Sequence, residues 1–391
     1  MINDGPVWLW PRAAYVHVPF CAHHCGYCDF AVAVGQDERI DAYLDALEIE
    51  LARLKQPHRV NTLFFGGGTP TYLAHRPLER LLRLVQRWLP LAENHEFSAE
   101  ANPSFLDEEK IRLLCAFGVN RLSLGVQSFQ PRLLQILERD HRPDDVPRVL
   151  EFIRPHIANI SVDLIFGVPE QTLEQWHDDL QRALALRPVH VATYGLTYEK
   201  GTRLWQQREQ GQVAALDEET EYQYYTHAID VLEGAGFDHY EISNFAQSGY
   251  RCRHNQVYWA NHAYFGFGVG AARYINGVRE LNTRAIRTYI ERLQAGESPT
   301  FQSECLSPRE RAIETIALQL RRAAGINRHD FQRQTGLALD DLVGPKIQDL
   351  LAQDLARDDG EAVALTRKGK CLADAVIEAL MRFAHERSPM K

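Results

Sequence analysis

The chain has 391 residues, of which 45% are hydrophobic and 24% charged, and its net charge at pH 7 is −9. At about 150 residues per domain this length predicts two or three domains, large enough to bury a core without disulfides. The acidic balance argues against nucleic acid as a partner, and neither a membrane span nor a signal peptide is visible. Because an odd count of seven cysteines also disfavours a secreted scaffold, we expect a cytoplasmic protein.

The first 240 residues alternate short β-rich segments with helical patterns. The predicted strands are 14–18, 62–65, 96–101, 121–126, 159–166 and 189–196. The predicted helices include 37–54, 78–89, one that begins at about 107, 173–186 and 218–233. Such repeated alternation indicates an α/β fold with a parallel sheet covered by helices, while periodicity alone does not distinguish an open sheet from a barrel.

The character of the sequence changes after about residue 240. Residues 240–274 are rich in Gly, Asn, Tyr and His without a clear period, which predicts a loop-rich segment. From about residue 305 the pattern becomes mainly helical, at 308–320, 327–335, 342–353 and 368–383, with one short strand at 362–365. We therefore predict a core at 8–240, a loop-rich extension packed on it at 241–304, and a small C-terminal helical domain at 305–391.

Three of the seven cysteines lie within eight residues, in the pattern C-x3-C-x2-C directly after the first strand. They are Cys21, Cys25 and Cys28. Such clustered thiols in a reducing compartment are more often metal ligands than unligated structural residues. A zinc site would need a fourth ligand, and an iron–sulfur cube with three cysteines leaves one iron open. The histidines near enough in sequence to complete a zinc site are His17, His23 and His24.

The cysteine pattern resembles the signature of radical S-adenosylmethionine (SAM) enzymes. A glycine run at the end of the second strand, Gly66-Gly67-Gly68-Thr69-Pro70, strengthens the resemblance. The resemblance implies a partial (β/α)6 barrel in which the three cysteines hold a 4Fe-4S cluster. It also implies that SAM binds the fourth iron and is cleaved by an electron from the cluster to give a 5′-deoxyadenosyl radical.

A closer resemblance is to the oxygen-independent coproporphyrinogen III oxidase group, HemN and its relatives. The segments that carry it are Tyr15–Cys21, Leu122–Ser128, Ser161–Thr172 and Tyr240–Phe245, and the C-terminal helices resemble that group's C-terminal domain. By this resemblance the SAM contacts are Tyr15, Gly67, Gly68, Thr69, Glu100, Gln127, Arg139 and Asp163. Their chemistry suits these roles, since carboxylates can accept from an ammonium or from ribose hydroxyls and an arginine can face a carboxylate. Taken alone, each polar residue among them would more often make only a strand-end or surface hydrogen bond.

Two features separate this chain from the oxidases and resemble the HemW branch, which is associated with haem binding and haem delivery. Phe30 stands where the oxidases carry a fourth cysteine, and the first cysteine comes as early as Cys21. Residues 254–259 match an H-N-x-x-Y-W motif of that branch, in which His254 could ligate haem iron, with Cys252 as a softer candidate, while Tyr258 and Trp259 stack on the macrocycle. The alternative for His254 is a structural hydrogen-bonding histidine. The remaining cysteines, Cys115, Cys305 and Cys371, are predicted to be inert core thiols in or beside helices.

Three functions follow from these patterns. The first is a haem chaperone of the HemW type that binds haem, the cluster and SAM, delivers haem to respiratory-chain proteins and uses an electron donor. The second is an oxygen-independent coproporphyrinogen III oxidase, and the third is a zinc-stabilised binding module. The sequence leaves open whether SAM is cleaved, whether the protein contacts a membrane peripherally and whether it forms a homodimer.

Overall fold

The computed structural model describes residues 5–386 of the protein. This part of the chain contains seventeen strands, nine of which form one central sheet. In chain order the strands are β1 (Ala13–Val18), β2 (Phe20–Cys21), β3 (Ala33–Val34), β4 (Val60–Gly67), β5 (Leu91–Ala101), β6 (Arg121–Gln127), β7 (Asn159–Phe166), β8 (His190–Gly195), β9 (Asp238–His239), β10 (Asn244–Ala246), β11 (Phe265–Phe267), β12 (Ala272–Ile275), β13 (Val278–Asn282), β14 (Thr300–Cys305), β15 (Ile326–Asn327), β16 (Ala356–Asp358) and β17 (Ala362–Leu365).

Fifteen α-helices accompany these strands in residues 5–386. They are α1 (Ile40–Ala52), α2 (His75–Trp88), α3 (Glu108–Ala116), α4 (Pro131–Ile136), α5 (Asp145–Ile153), α6 (Leu173–Ala185), α7 (Arg203–Glu209), α8 (Glu218–Gly234), α9 (Arg253–Trp259), α10 (Ile286–Gln294), α11 (Pro308–Gln319), α12 (Arg328–Thr335), α13 (Leu339–Ala352), α14 (Arg367–Cys371) and α15 (Ala373–Glu386). None of the helices in this part of the chain combines the length and the apolar character needed to span a bilayer.

The central sheet runs in the order β11-β1-β4-β5-β6-β7-β8-β10-β9. Its strands from β11 to β8 are parallel, and β10 and β9 complete one side in antiparallel pairing. Within residues 5–386 this pairing forms one row with two edges rather than a closed ring. The predicted α/β fold with a parallel sheet covered by helices is therefore confirmed: the six predicted strands are β1 and β4 to β8, and β11 adds a seventh parallel strand.

The parallel strands are apolar because helices cover them and bury their side chains. One hydrophobic core joins the sheet to its helices and includes Phe65, Phe97 and Trp176, all fully buried. Local signals set the helix starts, as in α6, where Thr172 and Gln175 form a reciprocal capping box. The parallel order brings the carboxyl ends of β4 to β8 to one edge, where such folds place ligands.

The segment 241–304 contains more regular structure than the sequence predicts. It is loop-rich as far as β11, but β12, β13 and β14 then form a separate antiparallel sheet, and α10 packs on α1. The strands are only four to six residues long, too short for a clear alternation. The helix had a readable signal, since Ile286, Tyr289, Ile290 and Leu293 have helical spacing and are buried.

The C-terminal helices enclose a second hydrophobic core and carry a three-stranded sheet in the order β15-β17-β16. The predicted strand at 362–365 is β17. The single helix predicted at 368–383 is instead two helices, α14 and α15, because Leu372 leaves the helical conformation between them. Gly369 lies so close to the backbone of Leu355 that a Cβ there would be 1.9 Å from the Leu355 carbonyl oxygen, and this close packing fixes α14.

Candidate functional site

A cavity of about 530 Å³ opens at the carboxyl ends of β4 to β8. Most of the residues that the sequence predicts for the cluster and for SAM line it. They are Cys21, Cys25, Cys28, Gly67, Gly68, Thr69, Glu100, Gln127, Arg139 and Asp163. The fold thus brings together side chains from five strands and three loops that are up to 142 positions apart in the sequence.

The three clustered cysteines begin at the end of β2 and continue into the loop before β3. Their side chains are half-buried, and Cys21 Sγ lies 3.5 Å from Thr69 Oγ1 while Arg139 Nη1 donates to Cys25 Sγ at 3.6 Å. Burial raises the pKa of Cys21 to about 11 and the pKa of Cys28 to about 12. These two groups are therefore thiols in the chain alone, and a cationic metal centre is what would ionise them.

The geometry does not support a site for one zinc ion. Residues 5–386 hold no group of three His, Cys, Asp or Glu side chains close enough to bind a single metal ion. Tetrahedral zinc with Zn–S bonds of about 2.3 Å needs sulfurs only about 3.8 Å apart. Ligands of a multi-iron cluster bind different irons, so they do not need this close grouping.

The histidines near the cysteines are already engaged. Buried His17 shares its Nε2 with the Ala31 carbonyl at 2.8 Å, and its pKa is lowered to about 4, mainly by burial. His24 hydrogen-bonds within the cysteine loop, and His23 faces Glu138 at 3.6 Å. The three thiols line the cavity together with His23 and His24.

The glycine run at the end of β4 lets the backbone pass closely between neighbouring groups. A Cβ at Gly66 would lie 3.0 Å from the Glu100 carboxylate, and one at Gly68 would lie 2.7 Å from the Phe20 carbonyl oxygen. Gly67 has a φ of +111°, which disfavours any other residue, and its N–H donates to Glu100 Oε2 at 3.1 Å. The glycines therefore form a wall without side chains along the cavity.

Two carboxylates, Glu100 on β5 and Asp163 on β7, face the cavity from below. Burial, followed by the charge of Asp163, raises the pKa of Glu100 to about 7. Burial also raises the pKa of Asp163, although Ser123 and Ser161 donate to its oxygens at 2.9–3.0 Å and buried Arg121 opposes the shift. The pair forms an acidic floor suited to a cationic or hydroxyl-bearing ligand, and a bound cation would favour the ionised form of Glu100.

Gln127 and Arg139 lie on the opposite side of the cavity, near a bulge in the pairing of β6 with β7 between Gly125 and Gln127. Gln127 has a φ of +66°, unusual for a residue with a side chain, and strain of this kind is common at ligand sites. Arg139 Nη2 donates to the Gly125 carbonyl at 2.7 Å, but its buried Nε has no hydrogen-bond partner among the described residues. The Arg139 side chain thus lines the cavity with its guanidinium held in place by the Gly125 carbonyl.

Tyr15 does not line this cavity but borders a second one of about 370 Å³ that shares Gly67, Glu100 and Phe30 with the first. Its ring stacks on Phe64 with centroids 6.2 Å apart. The walls of the second cavity are largely aromatic, and it lies against the first through the glycine run.

His254 also borders the second cavity and is buried. Its Nδ1 lies 2.9 Å from Thr62 Oγ1 and its Nε2 lies 2.8 Å from the Tyr258 hydroxyl, while its ring stacks on Phe64. Burial, with a further contribution from Arg121, lowers its pKa to about 3, so the imidazole is neutral. Both ring nitrogens have protein partners, and an iron ligand at Nε2 would have to displace the Tyr258 hydroxyl.

The other residues of the H-N-x-x-Y-W region differ in their placement. Tyr258 lines the second cavity, but Trp259 packs under the guanidinium of Arg321, 5.7 Å from its ring centroid. Cys252 is buried with Sγ 3.6 Å from Glu96 Oε1, and burial raises its pKa to about 12. It is held as a neutral thiol by the protein.

Of the three cysteines predicted to be inert core thiols, the structure contradicts one placement. Cys305 ends strand β14 and is exposed, because β14 is the outer strand of its sheet. Cys115 in α3 and Cys371 in α14 are half-buried.

The sequence analysis did not identify several polar residues of the site. Ser123, Ser161 and His190 support Asp163 from neighbouring strands, and Glu138 contacts both His23 and Arg203 beside the cysteine loop. The serines lie in segments that carried the resemblance, and strand pairing sets Ser123 opposite Ser161 and Ser161 opposite His190. Knowledge of the strand order and register would have revealed them.

Comparison with known families matches two parts of the chain. Residues 15–183 match the radical SAM superfamily, and residues 306–372 match the HemN C-terminal domain. In fold, the chain is similar to coproporphyrinogen III oxidase (HemN) from Escherichia coli, with a TM-score of 0.84 and 23% identity, covering 96% of this chain and 91% of that one.

Similar sequences extend over nearly the whole chain. The heme chaperone HemW of Bacillus subtilis is 38% identical over 376 residues, covering 95% of this chain and 99% of the relative. HemW of Escherichia coli is 30% identical, with 95% and 98% covered. The mouse mitochondrial radical S-adenosyl methionine domain-containing protein 1 is 32% identical, with 94% and 87% covered.

Proposed function

The chain belongs to the HemW heme chaperone family of the radical SAM superfamily, and from that premise we propose that it carries haem on a fold that also holds a 4Fe-4S cluster and SAM. The observation that carries the proposal is the single cavity into which three cysteines, a side-chain-free glycine wall and two buried carboxylates open. We further propose that it transfers haem to respiratory-chain proteins and receives electrons from a separate donor.

The donor set supports a cluster held by Cys21, Cys25 and Cys28. The three thiols face one cavity, and His17 and His24 each hydrogen-bond a backbone carbonyl. When bound, such a cluster supplies an open coordination position and an electron. The protein contributes three sulfurs, and Arg139 adds a donor to one of them.

The remaining cavity wall suits SAM, which combines an ammonium, a carboxylate and ribose hydroxyls. The carboxyl pair Glu100 and Asp163 can accept from the ammonium or from the hydroxyls, and the Arg139 guanidinium, which lines the cavity, can face the carboxylate. Gly67, Gly68 and Thr69 let the ligand approach the β4 backbone, and Gln127 offers both a donor and an acceptor. Tyr15 borders the second cavity together with Gly67 and Glu100, so it lies beside the proposed SAM site and not in the wall of the first cavity.

We place haem at the second cavity, with His254 as the candidate iron ligand. Its aromatic walls can pack on a flat macrocycle. A metal-binding histidine usually donates its other ring nitrogen to a nearby acceptor, and Thr62 Oγ1 can accept from His254 Nδ1 in this way. In that tautomer the lone pair of His254 Nε2, the candidate iron ligand, points toward the Tyr258 hydroxyl. Haem binding then requires the Tyr258 hydroxyl to move aside.

Binding measurements on anaerobically reconstituted protein test this function. We expect the wild type to bind SAM and haem, Cys25→Ala to lose the cluster and SAM binding, and His254→Ala to bind haem at least about tenfold more weakly with unchanged SAM affinity. Cys115→Ala and His177→Ala are matched controls, since neither residue borders either cavity. A cluster spectrum indifferent to SAM, or a wild type without haem affinity, would refute the proposal.

A second assay separates chaperone from oxidase. Phe30 stands where the oxidases carry a fourth cysteine, so this chain has no thiol at that position. The Phe30 side chain borders both cavities and is 64% exposed. Incubation with coproporphyrinogen III, SAM and a reductant under anaerobic conditions should give no protoporphyrinogen. Its formation would establish the enzyme instead.

A further inference from the structure

A row of buried polar groups leads away from Asp163 beneath the cavity. Ser161 Oγ lies 2.9 Å from Asp163 Oδ1 and 2.8 Å from His190 Nδ1. His190 Nε2 lies 2.8 Å from the Tyr240 hydroxyl, which accepts from the Cys252 N–H at 3.3 Å. The paired register of β7 and β8 sets Ser161 directly opposite His190, so the row is built into the sheet.

The acceptor at one end of the row fixes the direction of its hydrogen bonds. Ser161 donates to Asp163 Oδ1, and Ser123 shares its single hydroxyl hydrogen between the two Asp163 oxygens, since an ionised carboxylate can only accept. A serine has one hydroxyl hydrogen, and once it points at Asp163, Ser161 Oγ must accept from His190 Nδ1–H. A neutral imidazole has only one N–H, and His190 Nε2 must therefore accept from the Tyr240 hydroxyl.

The surroundings of His190 keep it neutral, as this arrangement requires. The ring is buried, and burial together with the charge of Arg121 lowers the pKa of His190 well below its usual value. At the far end, the Cys252 backbone N–H can only donate, which leaves the Tyr240 hydrogen free for His190. All the hydrogens then point toward Asp163, and aligned chains of this kind strengthen each other.

We propose that His190 is a positioning residue for Asp163: with its proton on Nδ1 it turns the Ser161 hydroxyl toward the carboxylate, and Tyr240 selects that tautomer. With the proton on Nε2 instead, Ser161 would donate to His190 and present its lone pairs to Asp163. The carboxylate would lose one of its two hydroxyl donors. This inference rests on the proposed function insofar as Asp163 belongs to the SAM site.

The tautomer can be read without any cofactor, by nitrogen NMR of protein labelled with ¹⁵N-histidine. The His190 signal is identified by its absence in His190→Asn. We expect the hydrogen on Nδ1 in the wild type, and a mixed or reversed tautomer in Tyr240→Phe, which lacks the selecting hydroxyl. A hydrogen on Nε2 in the wild type would overturn the proposal, whatever the protein binds.

SAM affinity of the reconstituted protein is the second readout. We expect His190→Leu to weaken SAM binding by about tenfold, the effect of losing about one hydrogen bond to a charged acceptor. His190→Asn, whose amide can still donate to Ser161, should recover to within about threefold of the wild type. His239→Leu removes a different buried histidine and should leave the affinity unchanged.

The outcomes separate this inference from the proposed function. If the wild type binds no SAM, the proposed function fails and the NMR result alone decides the tautomer. If SAM binds and the cluster content is equal, wild-type affinity in His190→Leu, or no recovery in His190→Asn, overturns the positioning role. Should His190→Leu not fold, Tyr240→Phe replaces it, and an unchanged tautomer with unchanged SAM affinity in that variant counts against the proposal.

Discussion

The glycine run and the cysteine loop are pressed together so closely that one added methyl group should separate them. In Gly68→Ala the new Cβ would lie 2.7 Å from the Phe20 carbonyl oxygen and from backbone atoms of Pro19. These are backbone atoms, so no side chain can rotate away. Overpacking of this kind costs about 1–3 kcal/mol of folding free energy.

The displacement should also reach the cysteine loop. The Gly68 N–H donates to the Val18 carbonyl at 2.8 Å, and the Thr69 N–H donates to the Phe20 carbonyl at 2.9 Å, directly before Cys21. A shift of several tenths of an ångström therefore moves the first cysteine relative to the other two. We expect both a lower unfolding free energy and less iron and sulfide per chain after reconstitution.

Urea titration followed by tryptophan fluorescence measures the first effect, and iron and sulfide analysis measures the second. Gly234→Ala is the matched control, because it makes the same change at the end of α8 with no atom within 4 Å of the new Cβ. It should be neutral or stabilising by about 0.5–1 kcal/mol. Wild-type stability together with full cluster content in Gly68→Ala would refute the packing argument.

Three further substitutions test other parts of the structure. Gln127→Gly relieves a positive φ and should therefore stabilise the folded protein by about 1 kcal/mol, seen as a higher melting temperature. The same substitution should lower the affinity for SAM, and a variant in which stability and SAM affinity rise or fall together would contradict this prediction. Glu50→Leu leaves the donors Gly268 N–H, Tyr289 OH and the Asn282 amide buried without their acceptor, and urea titration should show a loss of about 3 kcal/mol or more. His239 has a folded-state pKa of about 3 against 6.5 unfolded, so its stabilising contribution is lost as the pH falls below about 6.5. The difference in unfolding free energy between wild type and His239→Gln should therefore shrink by about 2 kcal/mol from about pH 7.5 to about pH 5, and a difference that does not vary with pH would reject the assignment.

Local patterns in the sequence were enough to predict the architecture and to single out the cysteine loop. Strand and helix periods alternate through the first 240 residues, and parallel strands with covering helices are the stable way to bury such a pattern. The cysteine motif and the glycine run are each confined to a short segment, so both could be recognised as candidate ligand-binding segments without knowledge of the fold. Together with the family resemblance, these features predicted ten of the residues that line the first cavity.

Strand order and register decided the rest. Ser161 and His190 meet because β7 and β8 pair with those two residues opposite each other, and no spacing in the chain states that register. Likewise, the partners of His254 lie on β4 and within its own helix, and Thr62 is 192 positions away. Contacts between residues so distant depend on how the sheet assembles, which is why only the tertiary structure shows how Asp163 is supported and that both His254 nitrogens are engaged.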